Sequence, residues 1–478
     1  MSCKNLTFEE KELAILRDAV DTAEEITKRE SAMSPEITEM MIAVEDFLRK
    51  TKCICYGGTA INNILPVDDQ FYDKQLEIPD YDFYSRDALK HAKGLADIYA
   101  KLGWKDVEAK AGIHHGTFKV FVNYIPVADI TQMDLELFKS VKKDSIKVNG
   151  ILYAPANFLR MAMYLELSRP KGDVSRWEKV LKRLTLLNKN YPLENSKCDY
   201  KTFRRDFEND FTKSDKGTIY ELTRNSLVSQ GVVFFGAYAN DLYSHYMPKN
   251  KRKASNKIPD FDVLSERPKV TATILKERLE DNDYKNVKIT KRKGIGEVIA
   301  PNYEVTIGKE TIAFIYEPLA CHSYNVIHVR GNPIKVATID TMLSFYLAFI
   351  YANRPYYDTD RILCMSQYLF MVQQKNRLEQ KGLLKRFSIN CIGNQDTLMT
   401  VREHKAKMYA KLKDKRGTKA YDEWFLKYSP TSNESVVDGK KTRKQRNKKK
   451  RTRKHKTGKR KQKKRSTTKK NKQIEFLF

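Results

Sequence analysis

The strongest periodicity near the start of the chain is helical. Ile37, Met40, Met41, Val44, Phe47 and Leu48 recur at spacings of three and four behind Ser34-Pro35, a cap followed by a first helical position. The spacing predicts an amphipathic helix over 35–50, packed on the segment after it, with a charged helix before it. The pattern then shortens. Ile54-Cys55-Tyr56 stops at Gly57-Gly58-Thr59, and helical character resumes from Ala60 to Leu65, which predicts a strand, a glycine turn and a helix. Period two takes over in Asp80-Tyr81-Asp82-Phe83-Tyr84 and again in Phe118, Val120 and Val122, and Ile125 to Ile130 is a further short β-like run. A helix is expected over 87–102 between them. Residues 51–135 therefore read as a small mixed α/β unit, followed from Pro155 to about Asn188 by two helices.

The same pattern returns later in the chain. Val233-Phe234-Phe235-Gly236-Ala237-Tyr238-Ala239 echoes Ile54-Cys55-Tyr56-Gly57-Gly58-Thr59-Ala60, and Ile258-Pro259-Asp260-Phe261-Asp262 echoes Ile78-Pro79-Asp80-Tyr81-Asp82. Arg169-Pro170-x-x-Asp173-x-x-Arg176 recurs as Arg354-Pro355-x-x-Asp358-x-x-Arg361. Three matches in one order predict two copies of a single module. The expected fold class is α/β (α+β): duplicated mixed-sheet modules with helical extensions. The expected divisions are N-terminal helices over 1–50, a first module over 51–190, a connector over 191–230, a second module over 231–380, a helical segment over 381–430 and a tail over 431–478.

Composition changes the picture at one end. The 478 residues carry a formal net charge of +29, with 41% hydrophobic and 11% aromatic residues, enough to bury real cores and to exclude a wholly disordered chain. Yet 21 Lys or Arg and no acid fall within the 33 residues from Lys440 to Lys472. Such a run cannot bury a core; it is expected to be disordered and to bind nucleic acid through counterion release, without sequence preference. A nuclear or nucleolar address and packaging onto nucleic acid are its rival readings, and the apolar ending Ile474 to Phe478 is expected to fray. The seven cysteines show no CxxC spacing, so free thiols in a reducing compartment are expected, with no disulfide framework and no cysteine zinc site. The first residues lack an apolar leader and no stretch approaches a membrane span, so a soluble intracellular protein with an anionic partner and no membrane is expected.

The candidate chemistry lies in 54–130. Aspartates at i and i+2 of a strand share a face, so Asp80 and Asp82 place two carboxylates side by side, and Asp129 in Val127-Ala128-Asp129-Ile130 supplies a third from another strand. Divalent metal is the natural compensation: Mg²⁺ favours carboxylate oxygens together with substrate phosphates, and a metal pair suits phosphoryl displacement. Gly57-Gly58 allows backbone N–H groups to approach a triphosphate at the start of a helix, and Thr59 adds a hydroxyl. Taken singly, a Gly-Gly is usually a turn and a D-x-D a solvated strand; the ordered set is what points to a metal-dependent site. His114-His115 also invites a metal assignment, but neighbours on a strand face opposite ways.

The ordered set resembles the nucleotidyltransferase superfamily of DNA polymerase β, whose signature is a hydrophobic strand, G-[GS], [DE]-h-[DE]-h and h-[DE]-h. More closely, Tyr56-Gly57-Gly58-Thr59-Ala60-Ile61, Pro79-Asp80-Tyr81-Asp82-Phe83-Tyr84-Ser85 and Val127-Ala128-Asp129 resemble the catalytic poly(A) polymerases of poxviruses and other large cytoplasmic DNA viruses. The resemblance covers most of 35–380. It implies a template-independent polynucleotide adenylyltransferase that adds AMP from ATP to the 3′ ends of mRNA by a two-metal mechanism with Mg²⁺ or Mn²⁺. It also implies that Asp80 and Asp82 bind both metals and nucleotide, that Asp129 helps activate the RNA 3′-hydroxyl, that Gly57, Gly58 and Thr59 hold the triphosphate, and that Ser85 lies at the nucleotide. The partners it implies are RNA, ATP and either a second copy of the chain or a small processivity subunit, and the location is the host cytoplasm, with the virion as a further site.

The second copy departs from the motif. Gly58 becomes Ala237 and Thr59 becomes Tyr238, and although Asp260 and Asp262 survive, Ile312 to Tyr316 contains no acid and Glu317 falls out of register. A non-catalytic copy is expected, walling a cleft. The repeated Arg-Pro-x-x-Asp-x-x-Arg, present in both copies, is expected to be structural: Pro ends a helix, Asp caps the next and Arg braces it. Arg160, Lys179, Lys182 and Arg183 are basic candidates for phosphate contact or plain solvated charges. The rival functions are another nucleotidyltransferase (CCA-adding, terminal uridylyl, or one modifying a protein or small molecule) and a catalytically dead RNA-binding scaffold.

Overall fold

The computed structural model describes residues 7–32, 34–73, 78–193, 198, 213–247, 260–296, 298–329 and 331–430. The polybasic run, the apolar ending and much of the expected connector (194–197 and 199–212) lie outside the described residues. Residues Met1–Tyr428 form one compact unit.

The chain opens with α1 (Phe8–Ala32) and α2 (Pro35–Thr51). Helix α2 forms as its spacing predicts: the Ser34 hydroxyl accepts the Ile37 N–H at 3.2 Å, Pro35 begins the helix, and Lys52 closes it in the left-handed conformation. Its stripe of Ile37, Met40, Met41, Val44, Phe47 and Leu48 is buried. Each such side chain is worth roughly 1.5–3 kcal/mol when fully removed from water, which seats the helix firmly.

The first module follows as β1 (Ile54–Cys55), α3 (Gly57–Ile64), β2 (Tyr81–Ser85), α4 (Ala88–Lys101), β3 (Val107–Ala111), β4 (Thr117–Val122), β5 (Ile125–Gln132), α5 (Leu135–Lys143), β6 (Ile146–Val148), β7 (Ile151–Tyr153), α6 (Ala156–Leu167) and α7 (Trp177–Asn190). The second runs through α8 (Lys213–Ser229), β8 (Val233–Phe235), α9 (Gly236–Ser244), β9 (Phe261–Leu264), α10 (Pro268–Glu280), β10 (Val287–Arg292), β11 (Asn302–Ile307), β12 (Glu310–Tyr316), β13 (His322–Val329), β14 (Asn332–Ala337), α11 (Ile339–Phe349) and α12 (Thr359–Lys375). The chain then returns through β15 (Cys391–Ile392), α13 (Leu398–Leu412), α14 (Lys419–Phe425) and β16 (Lys427–Tyr428).

The duplication is visible in the sheets. One has the order β16-β3-β4-β5-β2-β1-β7-β6 and the other β10-β11-β12-β9-β8-β14-β13-β15. Without β16 and β15, seven strands match position by position. Their directions match too: β2 runs parallel to β5 as β9 does to β12, and β1 antiparallel to β2 as β8 does to β9. Helix α11, buried along its whole length, packs on α6 and joins the two halves. The repeated Arg-Pro motif is structural, as expected: Asp358 caps α12 by accepting the Arg361 N–H at 2.9 Å, and Asp173 caps the turn that enters α7.

Three expectations change. Residues 381–430 are not only helical, because β15 and β16 extend both sheets, and the last part of the expected connector is helix α8. The cysteines are not all free: Cys198 is bonded to Cys364 and Cys321 to Cys391, while Cys53 and Cys55 are free and buried. The partners are 166 and 70 residues apart in sequence, so spacing carries no trace of pairs that the fold creates. The cysteine argument for a reducing compartment falls with them. Arg160, a phosphate candidate by sequence, is 1% exposed and spends its donors on Asn157, Asn188 and the Tyr191 carbonyl, so it staples α6 to α7.

A second buried cation has a proper counter-ion. Arg386 donates to both carboxylate oxygens of the fully buried Asp340 at the start of α11, at 2.7 and 2.9 Å. Removing one partner of a buried pair strands the other charge in a poor solvent. Asp340→Ala should therefore cost about 3 kcal/mol in urea unfolding, while Glu178→Ala, which removes only the exposed Lys182 partner on α7, should change little.

Candidate active site

Tyr56 in extended conformation ends β1, and the chain turns sharply at Gly57 into α3. Gly57 has a φ of +74°, and a Cβ built there would lie 2.6 Å from Asp82 Oδ2. Only glycine permits this approach. Gly58 is equally constrained: a Cβ would meet the Tyr72 hydroxyl and stand 2.8 Å from the Arg183 guanidinium. The Arg183 side chain donates to Tyr72 Oη at 2.7 Å and lies over the rings of Phe71 and Tyr72. The glycine turn thus has carboxylate on one side and an aromatic-braced guanidinium on the other.

The carboxylates arrive on the sheet. Tyr81 and Phe83 of β2 point into the core, which leaves Asp82 and Tyr84 on the other face. On β5 the neighbours Ala128 and Ile130 are buried and Asp129 shares the open face. Asp82 and Asp129 are directly paired across the parallel β2 and β5, and adjacent strands lie ~4.8 Å apart. Asp80 precedes β2, held by the Thr59 hydroxyl, which donates to its carbonyl at 2.7 Å. The backbone of Tyr56 donates to the Asp82 carbonyl at 2.9 Å, and its ring stacks on Tyr84 at 3.9 Å.

The fold thus brings Asp80, Asp82, Asp129, Gly57 and Gly58 to one place, and it sets two other candidates apart. Thr59 is 5% exposed, and its hydroxyl positions Asp80 instead of standing free for phosphate. Ser85 is fully buried on the opposite face of β2, where it pairs with His91 Nδ1 at 2.7 Å and accepts the Asp87 N–H. The period of two accounts for that reversal: residues 82 and 85 cannot share a strand face.

Sequence motifs missed one cation at the carboxylates, Lys119. Lys119 on β4 sits opposite Asp129 and donates to its Oδ2. The Arg176 charge favours the ionised form of Asp82. Arg183 faces the glycine turn, Lys179 lines a cleft of about 1250 Å³ that also contains Asp80 and Thr59, and Lys182 only pairs with Glu178 at the surface. Lys119 could have been found from its alternation with Phe118 and Val120; Arg183 was already a candidate for phosphate contact, while Arg176, expected only to brace a helix, is brought to Asp82 by folding.

Negative charge still exceeds its compensation. Burial, then repulsion from Asp80 and Asp129, pushes the Asp82 carboxyl up to about 7, and burial with the Asp129 charge pushes Asp80 up as well. Asp129 Oδ1 is a buried acceptor without a partner. A buried unsatisfied oxygen among three acids suits a hard divalent cation. As the side chains stand, no three His, Cys, Asp or Glu among the described residues form a group that could hold a metal ion, and Lys119 pairs with Asp129.

The second module shows the same frame without the chemistry. Gly236, at φ +73°, approaches Asp262 as Gly57 approaches Asp82. The register partner of Asp262 is Phe314, where the first module has Asp129, and Glu304 takes the place of Lys119 and pairs with Arg292 and Thr311. Ala237 is buried where the first module has the half-buried Gly58.

The site thus joins a glycine turn at a helix start, two carboxylates leading a strand and a third on its parallel neighbour, the ordered set that the sequence motif predicted. Residues 42–173 match the family described as poly(A) polymerase catalytic subunit, which bears out the resemblance over that segment. The chain is 32% identical over 187 residues to a putative poly(A) polymerase catalytic subunit of Acanthamoeba polyphaga mimivirus, covering 38% of this chain and 30% of that protein. It is 30% identical over 174 residues to the corresponding putative subunit of African swine fever virus (strain Badajoz 1971 Vero-adapted), covering 35% of this chain and 36% of that one. The matched part thus spans about a third of the length of these curated relatives. The fold is that of the Megavirus polyadenylate synthase crystal structure, with a TM-score of 0.71, 20% identity, and coverage of 91% of this chain and 88% of that one.

The raised carboxyl has a measurable consequence. The folded protein holds the Asp82 proton more tightly than the unfolded chain, so metal-free stability should fall as pH rises from about 4 to about 7. Asp82→Asn should remove that slope and stabilise the metal-free protein at pH 8 by ~2 kcal/mol, with little effect at pH 4. Denaturant titrations in EDTA at the two pH values check this; an Asp82→Asn protein no more stable at pH 8 than at pH 4, relative to wild type, contradicts the assigned burial.

Proposed function

We propose that the protein is a template-independent polynucleotide adenylyltransferase that extends mRNA 3′ ends with AMP from ATP. The observation that carries it is the register pairing of Asp82 with Asp129 beside the Gly57-Gly58 turn, within the segment that matches the poly(A) polymerase catalytic family. Asp80, Asp82 and Asp129 would hold divalent Mg²⁺ or Mn²⁺, which when bound supplies charge neutralisation at the reacting phosphate and lowers the pKa of a coordinated hydroxyl.

The chain's own groups do the rest. The Gly57 and Gly58 backbone, at the start of α3, receives the triphosphate, with Arg183 braced by Tyr72 to meet its negative oxygens. Thr59 fixes Asp80, and the Tyr56–Tyr84 stack backs Asp82. Lys119 holds Asp129 Oδ2, an oxygen that would be available to a bound metal. The 3′-hydroxyl attacks the α-phosphorus, the new phosphodiester forms as the bond to the β-phosphate oxygen breaks, and pyrophosphate leaves.

The organisation belongs to the same proposal: a catalytic module over 51–190 and a non-catalytic copy over 231–380, in which Phe314 excludes the third carboxylate. The basic tail would retain RNA, a homodimer would form in solution, and the site of action would be the host cytoplasm. Among the described residues no helix is long and apolar enough to cross a membrane. Relatives from viruses support the viral setting.

The deciding assay is primer extension with each NTP in turn. Asp80→Ala and Asp82→Ala should each reduce incorporation at least ~1000-fold, as should Gly57→Ala, whose methyl strikes Asp82, while Asp262→Ala should retain it. Preference for ATP separates this function from terminal uridylyl or CCA addition. A full-length protein that binds RNA and incorporates none of the four NTPs would instead be a scaffold.

A further inference from the structure

The turn between β3 and β4 carries His114 and His115, which the carboxylate chemistry leaves unused. The His115 ring lies against the Trp424 indole of α14, with centroids 4.1 Å apart and planes inclined by 31°, and His404 of α13 meets the same indole edge-on at 5.2 Å. His115 is exposed and Trp424 half-buried, so the outer face of a two-ring stack is open to solvent. The turn beneath is rigid. Gly112 donates to the Thr117 carbonyl at 2.7 Å and accepts from Lys405 Nζ at 2.6 Å, while Gln132 donates to the Gly116 carbonyl at 2.8 Å.

Its position relates it to the active site. Lys119 and Thr117 alternate along the open face of β4, Lys119 on Asp129 and Thr117 hydrogen-bonded to Thr131, which bonds Tyr56 in turn. His115 lies in the turn that leads into β4, four residues before Lys119 on the chain. The surrounding segment 402–427 carries nine Lys or Arg against four acids. An exposed π-face next to concentrated cations suits single-stranded nucleic acid, whose bases stack without sequence preference while phosphates meet the charges.

We propose that His115, backed by Trp424, is a stacking platform for a nucleobase of the single-stranded RNA, upstream of the 3′ end that reaches the carboxylates. This rests on the RNA-extending function proposed above. The indole holds the imidazole in place before RNA arrives, so little side-chain freedom is lost on binding. Trp424 is not needed merely to hold its segment: β16 pairs with β3, Lys93 meets Asp422 at 2.7 Å, and Tyr428 donates to Asp97 at 2.5 Å.

Full-length protein is tested with a fluorescent oligoadenylate. His115→Ala should weaken binding roughly tenfold, by the same factor at low and high salt because no phosphate contact is lost; His115→Phe should restore it, and the KM for ATP should stay unchanged. The oligonucleotide should quench tryptophan emission in wild type, and Trp424→Leu should remove most of that quenching. Wild-type affinity in His115→Ala, or undiminished quenching in Trp424→Leu, overturns the platform; an ordinary protein-docking role would give the same negative result with RNA. If wild type adds no nucleotide yet His115→Ala still weakens oligonucleotide binding, the platform stands and the transferase function fails.

Discussion

Asp82 and Asp129 share one face of two adjacent parallel strands, with Asp80 a step earlier, and their mutual repulsion is the constraint around which the first module is arranged. Three partly buried acids cannot all ionise in a poor solvent without cations close by. Lys119 answers part of that charge from the next strand and Arg176 part from beyond α6. The rest is left open toward the glycine turn, where Gly57 comes so close to Asp82 that no side chain fits.

The second module shows what the same backbone does once that demand is removed. Its strand order, directions and glycine-to-aspartate approach are kept, yet Phe314 stands where Asp129 would, and Glu304, paired with Arg292, replaces Lys119. An aromatic ring packs where a charged group would need water or metal, and the space closes: Phe314 stacks on Tyr356, itself covered by Arg292. The frame is therefore separable from the chemistry. The copy also supports the first, because its α11, with the Arg386–Asp340 pair, packs on α6.

The C-terminal segment ties the halves together. Strand β15 extends the second sheet and is bonded through Cys391 to Cys321, while β16 covers the otherwise free edge of β3 in the first. Covering an edge removes unpaired backbone groups that would invite association. It also carries Trp424 and a basic helix pair to the turn between β3 and β4, so one chain return serves both the sheet edge and that turn.

Much of this was legible in order along the chain. Short-range patterns determined α2, β1, the glycine turn, β2 and β5, because strand alternation and helix spacing are local consequences of burying one face. They also placed the Asp80, Asp82 and Asp129 set and showed, through the repeat, that a second copy lacked the third acid. Side-chain partnerships were not legible. Thr59 and Ser85 belong to the motif, yet one hydroxyl is spent on the Asp80 carbonyl and the other turns into the core with His91. Arg160 looks like a phosphate ligand and is a buried staple, whereas Arg183, indistinguishable from it in sequence, faces the glycine turn, and Arg176, expected only to brace a helix, also acts on Asp82. The cysteine pairs and the meeting of His115 with Trp424 join residues far apart in the chain. A sequence determines which residues face the same way over a few positions, since that depends on backbone period alone. Which distant groups then share a pocket depends on how whole elements pack, and that was decided only in the tertiary structure.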